Sequence, residues 1–174
     1  GLFIQGGGLM EPNFPALQVI AEVALGIVGF SAILIGLSRT SDGFSKPDNF
    51  RIQLLTYSAF SAMFCALLPF AIYRDSSPEL SWAIVSWVIC LISIGGLLVF
   101  PRRMISLRQE GYEKLFPLQV FVFQVGILSI IFIISGLMIL GYIKAKANLY
   151  VICLMLFLIQ SSFAFIRTMF VRIN

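Results

Sequence analysis

The stretch LQVIAEVALGIVGFSAILIGL, residues 17–37, is long enough to cross a bilayer and carries a single carboxylate, Glu22. Stepping by fours and threes from Gln18 reaches Glu22, Gly26, Gly29, Ile33 and Gly36. A helix here therefore has one face that is polar at one end and nearly bare along its length. Ile20, Val23, Ile27, Phe30 and Leu34 form a bulkier stripe beside it. A bare face lets another helix come close, whereas lipid gains nothing from missing side chains. The reading is a first transmembrane helix over about 17–38 whose glycine face is buried by partners.

The rest of the chain repeats that pattern of length and polarity. Hydrophobic residues make up 59% of the sequence and charged ones 11%, with a mean hydropathy of +0.98, far more apolar than a soluble domain of this size requires. The charges fall in gaps between apolar runs, which predict further helices at about 51–73, 79–100, 118–143 and 148–171. The expected fold is all-α, a polytopic membrane bundle of five transmembrane helices forming one domain over 10–174. Pro69 is expected to kink or end the second helix, and Pro101 to stop the third. Trp82 and Trp87 read as interfacial residues. Residues 1–9 have no helical period and precede a natural-looking start at Met10, so they read as an N-terminal extension or tag remnant.

Charge distribution sets the expected orientation. Of the twelve Lys and Arg residues, only Arg74, Lys144 and Lys146 fall on the side of the N-terminus. The other nine sit in the first and third loops and at the C-terminal end. Positive charge is retained in the cytoplasm, so the N-terminus is expected outside and the C-terminus inside. The segment PRRMISLRQEGYEKLFP, residues 101–117, interleaves Met104, Ile105 and Leu107 with Arg102, Arg103 and Arg108. It reads as a helix lying on the membrane or as a solvated loop, in either case beside anionic headgroups. The basic total thus points to lipid and not to nucleic acid. Cys65, Cys90 and Cys153 all lie in apolar runs and read as packing residues.

Most chemistry is excluded by what the residues cannot supply. There is no histidine, and Glu22 is the only carboxylate inside a predicted span, which argues against a metal centre, a cofactor or acid–base catalysis. No catalytic residue is assigned, and the chain is read as not an enzyme. The intramembrane polar groups remain. Glu22 faces a partner, water or the interface. Gln124 and Gln160 read as interhelical hydrogen-bonding groups. Gln160, Ala164 and Arg167 align at i, i+4 and i+7, with Arg167 reaching for the cytoplasmic headgroups.

The segments AEVALGIVGFSAILIGLSR at 21–39, FRIQLL at 50–55 and QSSFAFIR at 160–167 resemble an uncharacterised family of small bacterial integral membrane proteins. Its members share an N-terminal Ala-Glu before a small-residue helix and Gly-Phe, and a Gln, Phe, Arg pattern closing the last span. The resemblance implies a multi-pass protein of the bacterial inner membrane. It singles out Glu22, Gly29, Phe30, Gln160 and Arg167, and it carries no activity. Two functions are expected from the residues: a non-catalytic subunit, homo-oligomeric or accessory to other membrane subunits, or else a small ion channel or solute transporter with Glu22 in the pathway. Whether the polar stripes of the first, second and fifth helices converge on a wet cavity or on dry contacts separates them.

Overall fold

The computed structural model describes residues 12–38 and 43–170; the expected extension at 1–9 lies outside the described residues. Five long helices follow one another: α1 (Phe14–Ser38), α2 (Lys46–Ile72), α3 (Pro78–Leu107), α4 (Leu118–Ile139) and α5 (Lys146–Phe170). Each is long and apolar enough to cross a membrane, so the fold is an all-α membrane bundle with five spans.

Local chemistry explains where the helices depart from their expected limits. α2 begins at Lys46, five residues early, because Ser45 caps it by accepting from the Asp48 amide at 3.3 Å. Pro47 in its first turn gives up no needed hydrogen bond, and Asp48 complements the helix dipole there. Pro69 lies inside α2, which ends within one turn of it. Pro101 does not stop α3: the helix runs through it to Leu107 and into a π-turn over Arg108–Tyr112. The break comes at Gly111, whose φ of 100° suits a residue without a Cβ. At 30 residues α3 is about 45 Å long, longer than the hydrocarbon core, so its last turns with Arg102 and Arg103 need not be in lipid. The 101–117 segment is thus mostly the end of a transmembrane helix, and it is neither a separate surface helix nor a plain loop. α4 ends at Ile139, short of the expected 143, where Gly141 turns the chain at a φ of 75°.

Helices α2, α3, α4 and α5 form a closed ring in that order, and α1 lies outside against α2 and α5. At one end of the bundle a chain of rings joins the starts of α1, α3 and α5 to the end of α2. Phe14 meets Phe70 at 4.7 Å, Tyr73 meets Trp82 at 6.4 Å, and Trp82 meets Tyr150 at 5.7 Å. Trp82 is therefore a core residue, while Trp87 faces outward as an interfacial ring would. At the other end Phe50 packs edge-on against Phe100 and Phe116, at 6.0 and 5.4 Å. The outer surface carries Phe64, Leu91, Val122 and Ile133, whereas Ser58, Ser86, Ser135 and Gln160 are fully buried. Apolar residues outside and polar ones inside is the distribution expected when lipid is the solvent.

Candidate functional site

The polar residues of α2 and α5 recur every seven positions. On α2 these are Arg51, Ser58 and Cys65; on α5 they are Lys146, Cys153, Gln160 and Arg167. Seven residues are close to two helical turns, so each set forms one stripe. The two helices run antiparallel, and two contacts fix their register. Arg51 Nη1 donates to the Arg167 carbonyl at 3.5 Å, and the Tyr150 hydroxyl donates to the Cys65 carbonyl at 2.5 Å. Counting seven along each helix from the first contact brings Ser58 level with Gln160 and Cys65 level with Cys153. The stripes therefore face each other in one seam, buried along its length except where Arg167 is half-buried.

The seam's charged end is built on arginines. The Arg51 side chain is only 2% exposed, with Asp48 Oδ1 3.6 Å away and the Phe116 ring 5.5 Å from its guanidinium. Arg167 donates to the Leu115 carbonyl and lies 5.8 Å from the Phe163 ring, while Arg108 donates to the Phe116 carbonyl at 2.7 Å. Arg51 and Arg167 thus hold the bend at residues 115–116 against α2 and α5, and Arg108 ties it to the turn that ends α3. Lys46 adds an exposed ion pair to Glu110 at 2.8 Å. Arg51 lies close to Arg167 and has Asp48 beside it, while among the described residues no carboxylate pairs with Arg167.

The middle of the seam is uncharged. Ser58 Oγ, both amide atoms of Gln160 and Gln124 Oε1 are buried and have no hydrogen-bond partner among the described residues. Gln124 is buried on α4, where its neighbour Phe123 packs on Phe163 of α5 with ring centroids 4.6 Å apart. Polar groups in such a position cost stability, and their recognised use on a helix seam is to fix one register and one partner. Other buried hydroxyls turn back to their own helices, as Ser86 does to the Trp82 carbonyl at 2.6 Å and Ser93 to the Cys90 carbonyl at 2.8 Å, while Ser81 also reaches the Ile72 carbonyl of α2 at 3.1 Å. The seam offers hydrogen bonding and positive charge, and among the described residues no three His, Cys, Asp or Glu side chains are grouped to hold a metal.

The seven residues singled out from the sequence divide into two groups. Gln124, Gln160 and Arg167 point inward, the last two in the seam and Gln124 buried on α4, which packs on α3 and α5. Glu22, Gly26, Gly29 and Phe30 do not: all four are exposed on α1, with Phe30 at 68%. Glu22 accepts from Gln18 Nε2 at 3.0 Å, one turn back on its own helix. A Cβ added at Gly26, Gly29 or Gly36 would meet none of the described residues within 4 Å. The glycine face is therefore not the one that α1 packs against its own chain. Leu17, Ile20, Ala21, Ala24 and Ser31 do that, because Ala21 and Ala24 are small enough for close approach and Leu17 and Ile20 fill the end. The polar stripes of α2 and α5 converge, and that of α1 points away. Sequence reading passed over Arg51 as a loop charge, although its seven-residue step to Ser58 and Cys65 was available.

No protein-family model matches the chain, and no curated protein or solved structure matches it significantly.

Proposed function

We propose that this chain is a non-catalytic integral membrane subunit that docks another transmembrane helix, of a second copy or of another subunit, on the outward face of α1. One observation carries the reading: Glu22, Gly26, Gly29 and Gly36 face away from the chain's own helices. A carboxylate facing hydrocarbon costs at least about 2 kcal/mol, and exposed backbone gains nothing from lipid. Both penalties are relieved if a partner helix lies there. The seam between α2 and α5 supports the same reading, since its polar groups sit in helix contacts within the bundle that displays α1.

A cation pathway through the protomer by way of Glu22 is not supported, because Glu22 does not face the ring of α2–α5. The membrane is proposed to be a bacterial inner membrane, with the N-terminus outside. Cysteines introduced at Ser77 and Ser106 test the orientation by labelling from outside and from inside respectively.

The function is tested by the mass of the protein extracted in mild detergent. Gly29→Leu is expected to break the assembly while leaving the melting of the protomer unchanged, because a side chain there meets only the partner. Phe30→Leu, on the neighbouring stripe, is expected to keep both. An assembly unchanged by Gly29→Leu would rule out the face as an interface.

A further inference from the structure

An open groove of about 390 Å³ lies between α4 and α5, lined by Phe123 of α4 and by Met155, Ile159, Phe163 and Ile166 among others of α5. From Met155 to Ile166 it follows α5 for about 16 Å at 1.5 Å per residue. That length is close to half of the hydrocarbon core, the depth of a single leaflet. Its lining is almost wholly apolar, with Ser162 the exception. At the end of the groove stands Arg167, whose guanidinium lies 5.8 Å from the same Phe163 ring that forms the groove wall. Arg167 donates to the Leu115 carbonyl, and among the described residues no carboxylate pairs with it. Arg51 adds a second positive charge alongside, balanced in part by Asp48. Glu113 and Lys114, both exposed on the neighbouring bend, offset each other.

We infer that this groove holds an acyl chain of one anionic phospholipid, with the lipid phosphate bound at Arg167. The apolar channel and the cation at its mouth stand one leaflet apart in the order that a phospholipid presents chain and phosphate. A headgroup bearing its own cation would be repelled by Arg167 and Arg51, so the site selects a headgroup whose only charge is the phosphate. The occupant is a lipid and not free phosphate, because the groove supplies a surface that only a chain can fill.

Native mass spectrometry of the full-length protein tests this, with phosphatidylglycerol and phosphatidylcholine of identical chains added in equal amounts. The wild type is expected to retain one phosphatidylglycerol, roughly fivefold in preference to phosphatidylcholine, as one basic residue at a membrane surface provides. Arg167→Gln should bring that ratio to about one, and Arg167→Lys should keep it. Ile159→Trp, which fills the groove from its exposed side, should lose both lipids. Inorganic phosphate at millimolar concentration should displace neither. Retention of phosphatidylglycerol by Ile159→Trp at the wild-type level, or its displacement by inorganic phosphate, would overturn the assignment. If Arg167→Gln fails to fold, Arg167→Lys and Ile159→Trp still decide it.

Discussion

The seam between α2 and α5 and the outward face of α1 are built from similar material and do opposite things. Both are stripes of small or polar residues on helices long enough to span a bilayer. In the seam, Ser58, Cys65, Cys153 and Gln160 are sealed between two helices of the same chain. On α1, no described residue comes within 4 Å of where a Cβ would stand at Gly26, Gly29 or Gly36. A helical period identifies a face that a membrane protein does not give to lipid. It does not say whether the chain or a partner covers that face.

The comparison breaks most readily at the charged end of the seam. Arg51→Ala should destabilise the protomer by roughly 3 kcal/mol, since it leaves a void beside Phe116 and removes a cation from Asp48. Thermal or denaturant unfolding in detergent checks this, and a loss below about 1 kcal/mol would show that the end is held by packing alone.

The fold was largely legible in the sequence because five apolar runs separated by charges leave little choice when backbone groups must be satisfied in lipid. Helix ends were less so. Pro101 looked like a stop but is carried inside α3, whose hydrogen bonding ends only where Gly111 reverses φ. Ser45 and Asp48 precede the expected start at 51, yet they cap and charge the first turn of α2. Of the candidate residues, Gln160 and Arg167 could be placed on one face from spacing, but pairing that face with Arg51 and Ser58 needed the antiparallel register. Glu22 and the glycines were recognised as a face. Which way the face points depends on Leu17, Ile20, Ala21 and Ala24 making the better contact with α2 and α5, a comparison of two surfaces that period alone does not rank.

A second test sets two glycines against each other. Gly96 lies inside the ring, where a Cβ would sit 3.2 Å from both Leu128 and Tyr57. Gly96→Leu should cost the protomer about 1–3 kcal/mol through overpacking. Gly29→Leu should cost it nothing measurable, so equal melting shifts for the two would erase the distinction between covered and uncovered faces.

The smallest expected effect concerns sign. Gln160 is fully buried with neither amide atom hydrogen-bonded, so Gln160→Leu removes a group that gives little in return for its desolvation. Replacing such a group by an apolar one of similar size is expected to change stability by less than about 1 kcal/mol or to raise it. A loss above about 2 kcal/mol would mean that the amide is satisfied within the seam and contributes to it.

The central claim is that a protein, and not lipid, covers the outward face of α1. Replacing Ile33, exposed on the same face as Gly29, by a diazirine analogue of leucine, with Leu91 on the exposed face of α3 as the reference, tests it in intact membranes without adding bulk at a glycine. A protein adduct is expected at position 33, its mass identifying a second copy or another subunit, and lipid adducts alone at position 91. Lipid adducts alone at both positions would contradict it.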